Sequence, residues 1–146
     1  MGNPSFTVVN LASESSTDRA YDNHHVAAVN DHEVRISVMT EAYHWHCHPD
    51  SDETFLSVEG GLLIDLDDGT IELTPGNLFT VGRGVRHRTR PVTARSVNLT
   101  FERKDAKTEV LAPPVWKQTS DGLRVELPKQ YRPTVDYGAA LRISLT

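Results

Sequence analysis

The stretch YHWHCHPDSDETFLSVEGG, residues 43–61, places His44, His46 and His48 at alternate positions, with Glu53 five residues after the last of them. Side chains alternate faces along a strand, so His46 and His48 point the same way, one pleat apart. Two imidazoles on that spacing can reach one metal ion. The short turn PDSD then brings Glu53 back on the next strand. A further ligand is expected from a distant strand. His87 is the candidate, because it follows the glycine corner in VGRGVRH as the chain re-enters a strand. Three imidazoles and one carboxylate suit one divalent transition metal ion: zinc first, with iron, manganese or nickel served by the same donors.

Outward from this stretch, period-two alternation recurs and helical periodicity is scarce. HEVRISVMTEAYHWH alternates from Val34, which puts Val34, Ile36 and Val38 on the face of His44 and His46 if the strand runs unbroken. ETFLSVEGGLLIDL supplies strand residues around Gly60 and Gly61, and DDGTIEL carries a hairpin signal at Asp68-Gly69. Pro75-Gly76 and the run Gly82 to Gly84 mark two further corners. RSVNLTFER reads as a strand with Val97, Leu99 and Phe101 on one face. Many short strands with Gly- and Pro-rich corners predict an all-β sandwich or small barrel. At the N-terminal side, FTVVNL is expected as an edge strand and SSTDRAYDNHH as a loop with exposed His24 and His25. Beyond Lys107, the proline-rich run with Pro113, Pro114, Pro128 and Pro133 is expected to wrap the barrel as extended chain, with AALRISL as a last strand. No linker divides the 146 residues, so one domain, 1–146, is expected.

Composition narrows the function classes. At 38% hydrophobic and 24% charged the chain reads as globular rather than disordered. No apolar run approaches the ~20 residues of a membrane helix. A net charge of −5 argues against non-specific nucleic-acid binding. Cys47 is the single cysteine, so no internal disulfide forms, which fits a cytoplasmic setting. MGNPSFTVVNLASESS has neither a basic region nor an apolar run of signal-peptide type. Arg83, Arg86, Arg88, Arg90 and Arg95 form a local basic patch, expected as a solvated strand face, with an anionic substrate group or partner as the functional alternative.

His46-x-His48-x4-Glu53-x6-Gly60 resembles the first motif of the cupin superfamily, and Gly82-x-Gly84-x2-His87 resembles the core of the second. Two departures stand out: Gly82 where proline is usual, and Pro91 where the second motif ends in asparagine. LTPGNLFTVGRGVRH is similar to a run common in small cupins, with Asn77 in place of the aspartate. The resemblance covers about residues 34–103 and implies a double-stranded β-helix, a jelly-roll barrel, with N- and C-terminal extensions around it. It also implies that the metal sits inside one end of the barrel on His46, His48, Glu53 and His87, and that the chain is a monomer or homodimer.

Such a metal polarises a carbonyl or acidifies water. The leading expectation is a Lewis-acid enzyme of cyclase, isomerase or lyase type acting on a small carbonyl compound. A weaker resemblance points to cupins that cyclise aromatic polyketides. An iron-dependent dioxygenase and a non-catalytic sugar- or effector-binding barrel are the alternatives. His44 and Glu53 are the candidates to move a proton. Phe55, Phe79 and Phe101, with Tyr43, are expected to line an apolar pocket, and Arg83 is the one arginine of its strand expected to face inward. Cys47 is expected to be a small filler facing away from the metal, with Trp45 packed on that same opposite face. Asp50 and Asp52 fit a solvated turn.

Overall fold

In the computed structural model, which describes residues 6–119 and 122–126, twelve strands and one short helix follow the chain. A single turn of helix, α1 (Leu11–Glu14), starts at Asn10, whose side chain accepts a hydrogen bond from Ser13 N. The strands are β1 (Tyr21–Val29), β2 (His32–Met39), β3 (His46–Cys47), β4 (Glu53–Glu59), β5 (Leu62–Leu66), β6 (Gly69–Leu73), β7 (Leu78–Val81), β8 (Arg88–Pro91), β9 (Ser96–Arg103), β10 (Glu109–Val110), β11 (Val115–Thr119) and β12 (Gly122–Glu126). They form a five-stranded sheet in the order β1-β2-β9-β4-β7, a three-stranded sheet β6-β5-β8, and the pairs β10-β3 and β11-β12. All pairings are antiparallel. This is the all-β double-stranded helix that the motifs imply.

Between the sheets, Met39, Phe55, Leu62, Ile64, Leu66, Leu73, Val81 and Val85 close one end of the barrel with apolar side chains. A second apolar cluster lies on the other face of the five-stranded sheet: Ile36, Val38 and Val97, covered by Leu11, Val26, Val58 and Leu99. The sheet is therefore apolar outward over much of its area. Inward it carries Ser37, Ser57, Ser96, Asn98 and Thr100, all buried.

Several expectations are corrected. Residues 6–10 form no strand, because Asn10 caps a helix turn instead. The segment expected as a loop is half strand. From Tyr21 it pairs with β2 across a two-residue turn, in which Asn30 takes φ +53. Its polar side chains are accommodated because β1 is an edge strand. His24 meets Glu14 and Asp22, and Asn23 accepts from Arg35. Tertiary pairing overrides local propensity here. Beyond residue 114, β11 and β12 pair with each other rather than running as extended chain. The expected last strand at 139–145 lies outside the described residues.

One glycine is sterically fixed. Gly60 has φ +78, and a Cβ there would sit 2.0 Å from Arg95 O, so the motif glycine is set by close backbone approach.

Candidate metal centre

The two motifs are joined by a single bridge. His46 N donates to His87 O and His87 N to His46 O, each at 3.0 Å, so the two imidazoles leave adjacent strands on the same side. His48 follows β3, Gly84 N donates to its carbonyl at 2.7 Å, and Glu53 opens β4. His46, His48, Glu53 and His87 are all buried, and one ligand atom from each lies within 4.8 Å of the others. Glu53 Oε2 is 3.0 Å from His48 Nε2 and 3.1 Å from His87 Nε2.

The donor set has the chemistry a metal ion requires. Each histidine has its Nδ1 2.9 Å from a backbone carbonyl oxygen: His46 on His44, His87 on Val85 and His48 on Lys107. A carbonyl oxygen only accepts, so each Nδ1 carries the proton and each Nε2 is left to face the centre. The group fits a single metal ion. Without one, the electrostatics are those of a compressed acid–base cluster. Burial opposes ionising the Glu53 carboxyl, but hydrogen bonds from His48 and His87 and their charge override it and hold the carboxyl low. His46 is pushed down to about 3 by burial and then by His87. His48 is also opposed by burial, yet Glu53 and the Lys107 carbonyl bring it up to about 9.

The group opens into a cavity of about 450 Å³. Tyr21, Asn23, Glu33, Arg35, Ser37, Tyr43, Thr100 and Glu102 line it, together with Thr89, Lys104, Ala106 and Thr108. Arg35 is held by Glu33 and Asn23. Glu102 Oε2 lies 3.8 Å from His48 Nε2 and, like Thr100 Oγ1, has no hydrogen-bond partner among the described residues. Burial, then the charge of Glu53, pushes the Glu102 carboxyl up to about 7.

Of the residues expected at the site, the structure brings together His46, His48, Glu53, His87, Phe55 and Tyr43. The others fall elsewhere. His44 is exposed, its ring tilted at 35° against Tyr43 with centroids 3.8 Å apart, and it does not line the cavity. The chain bends at Thr40–Glu41 and has no strand structure from there to Trp45, so strand alternation does not carry His44 into the cavity, although its ring stays edge-on to His46 at 5.7 Å. Phe79 packs against the apolar end of the barrel. Phe101 is 37% exposed on the outer face. Arg83 lines a separate shallow groove with His32, Asp52 and Arg103.

The basic patch is not one solvated face: Arg83 is exposed, but the other four arginines are tied to acids. Arg86 is 1% exposed, bonded to Asp67 and to Ala112 O, and it lies with Arg88 over the buried Trp45 ring. Arg88 and Arg90 grip Asp65, and Arg95 holds Glu59. Cys47 is buried, with Sγ 3.9 Å from Glu109.

Sequence reasoning missed Glu33, Arg35, Thr100 and Glu102. Their signal was present as the polar alternates of HEVRISV and RSVNLTFER, but the apolar alternates were assigned inward.

The family model for the cupin domain matches residues 32–100. The uncharacterized protein YdbB of Bacillus subtilis is 42% identical over 102 residues, spanning 69% of this chain and 89% of that protein. A cupin-2 domain containing protein of Shewanella frigidimarina is 26% identical and superposes with a TM-score of 0.62, over 66% of this chain and 95% of its own. A Klebsiella pneumoniae protein with a double-stranded β-helix domain shares the fold at 13% identity, with a TM-score of 0.64 over 75% of this chain and 100% of that one.

Proposed function

The chain belongs to the cupin superfamily, and from that premise we propose that it is a metal-dependent enzyme acting on a small, oxygen-rich carbonyl compound. The observation that carries this reading is the gathering of three imidazoles and one buried carboxylate within 4.8 Å of one another, with His46, His48 and Glu53 lining a polar cavity of about 450 Å³. When bound, a divalent metal supplies Lewis-acid polarisation of a carbonyl oxygen. The chain supplies the rest. Glu53, His46, His48 and His87 hold the ion. Tyr21, Ser37 and Thr100 offer hydroxyls, and Arg35 a guanidinium, to orient polar groups of the substrate. Glu102 presents its carboxyl to the cavity beside the ligands, where it is placed to take a proton from the carbon next to a polarised carbonyl. It replaces the exposed His44 in that role. A lining of hydroxyls and charges favours a hydroxylated or carboxylated substrate over an apolar aromatic one.

The test is proton exchange. Zinc-loaded protein is incubated in D2O with a panel of small α-hydroxy ketones and β-keto acids, and loss of the α-proton signal is followed by NMR. Exchange with the loaded protein, and none with His87→Ala or Glu102→Gln, is the expected result. No exchange across the panel, with oxygen consumption appearing once the protein is loaded with iron, would move the chain to the dioxygenases. Tight binding of panel compounds without exchange would make it a binding barrel.

A further inference from the structure

We propose that the segment Lys104 to Ala112 is a docking strap that completes the metal centre, with Asp50 as the positioning residue that fixes it. This rests on the metal reading above.

Three carbonyls orient the three histidines, and they are not equivalent. His46 and His87 each use the carbonyl two residues earlier, which moves with the ligand itself. His48 uses the carbonyl of Lys107, 59 residues away, and Thr108 Oγ1 stands 3.3 Å from the same Nδ1. The ring orientation of one ligand therefore depends on whether a distant segment is docked.

The strap is fastened to the chain immediately around the ligands. Lys107 N donates to Asp50 Oδ1 at 2.9 Å, so Asp50 anchors the strap at the residue whose carbonyl holds His48. Leu111 N donates to Trp45 O at 2.8 Å, β10 pairs with β3 through Glu109–Cys47 and Val110–His46, and Ala112 O accepts from Arg86. Few apolar contacts assist. Lys107, Thr108, Glu109 and Val110 are all exposed, so polar contacts carry most of the docking and the strap belongs to the low-stability part of the molecule. The strap also gives Lys104, Ala106 and Thr108 to the cavity wall. Its release both frees the His48 ring and opens the cavity.

Coupling of this kind is reciprocal: if docking strengthens metal binding, metal binding strengthens docking by the same factor. The test measures both directions. Zinc affinity is determined by chelator competition for wild type, Asp50→Ala and Asp50→Asn, and amide hydrogen exchange across 106–112 is followed with and without zinc. Asp50→Ala is expected to weaken zinc binding by about 10–100-fold. Asp50→Asn, which keeps an acceptor oxygen, is expected to restore most of it. Zinc is expected to slow exchange at Lys107 and Leu111 in wild type. The cobalt(II)-loaded protein adds a readout of ligand geometry: its d–d spectrum should shift in Asp50→Ala and return in Asp50→Asn. If Asp50→Ala does not fold, Leu111→Pro deletes the donor to Trp45 and should give the same two changes. Zinc binding with unchanged strap exchange, or an unchanged affinity and cobalt spectrum in the alanine variant, would overturn the inference while leaving the metal reading intact. Failure of wild type to bind zinc, cobalt or iron would overturn both.

Discussion

On β2 and β9 the two faces of the five-stranded sheet differ sharply in character. Ile36, Val38 and Val97 are almost wholly buried on the outer face, under Leu11, Val26, Val58 and Leu99. One residue along on the same strands, Arg35, Ser37, Asn98 and Thr100 face the interior. Because the side-chain period is two, neighbouring residues on this part of β2 and β9 serve opposite purposes: the outer set supplies cohesion and the inner set lines the polar cavity, while further along the sheet inward Met39 and Phe55 join the apolar core. Between Arg35 and Val38, and between Val97 and Thr100, cohesion and cavity lining are thus separable by residue parity.

Substitutions on each face should therefore fail differently. The largest effect is expected from His87→Ala on the inner side. It should lower zinc affinity by more than the ~100-fold that loss of a mere supporting hydrogen bond costs, with the far-ultraviolet dichroism unchanged. Metal content of the purified variant checks this. Ile36→Ala, on the outer side, should cost about 2–5 kcal/mol of stability in urea denaturation while the folded fraction keeps wild-type zinc content. Loss of metal in proportion to stability would break the separation.

A third test uses pH. In the metal-free protein His48 is raised to about 9 from the ordinary 6.5. A raised folded-state value means that its pairing with Glu53 contributes fully below about pH 6.5 and is lost as pH climbs through about 9. Glu53 is held low, so its share is present above the ordinary 4.5 and lost as pH falls. Urea midpoints of metal-free protein should therefore drop between pH 6.5 and 9. Zinc-loaded protein, in which the metal takes the His48 lone pair, should show a smaller drop. Smaller still is Thr100→Val. It removes a hydroxyl with no partner among the described residues and should change stability by no more than about 1 kcal/mol, with zinc binding retained. Least of all, His44→Ala should leave zinc affinity within about twofold: its exposed ring touches the edge of His46 but lines no part of the cavity, and the backbone carbonyl that orients His46 is kept.

What was legible in the sequence follows from how each signal is encoded. The ligand set was readable because His46, His48 and Glu53 lie within eight residues of one another and His87 follows a glycine corner that a turn requires. The barrel was readable because turns at Pro75-Gly76 and Gly82 to Gly84 punctuate short alternating runs. The orientation of the alternation was not. Val34, Ile36 and Val38 look like a cavity-facing set only if the strand continues to His46, and the bend at Thr40–Glu41 breaks that count. Phe101 was misplaced for the related reason that the apolar alternates of β9 face outward. Arg86, Arg88 and Arg90 looked solvated because Asp65 and Asp67, which neutralise them, lie on another hairpin. Asp50 looked like a turn residue because its partner, Lys107, is 57 positions away.

That last separation sets an order in time. Synthesis runs from the N-terminus, so all four ligands, the last at His87, exist before the carbonyl of Lys107 that orients His48. A nascent chain can gather the ligand side chains yet cannot lock their geometry until its later third is made. The proposed metal centre would therefore mature late in biosynthesis, and a chain cut short before Lys107 would carry all four candidate ligands without the carbonyl that orients His48.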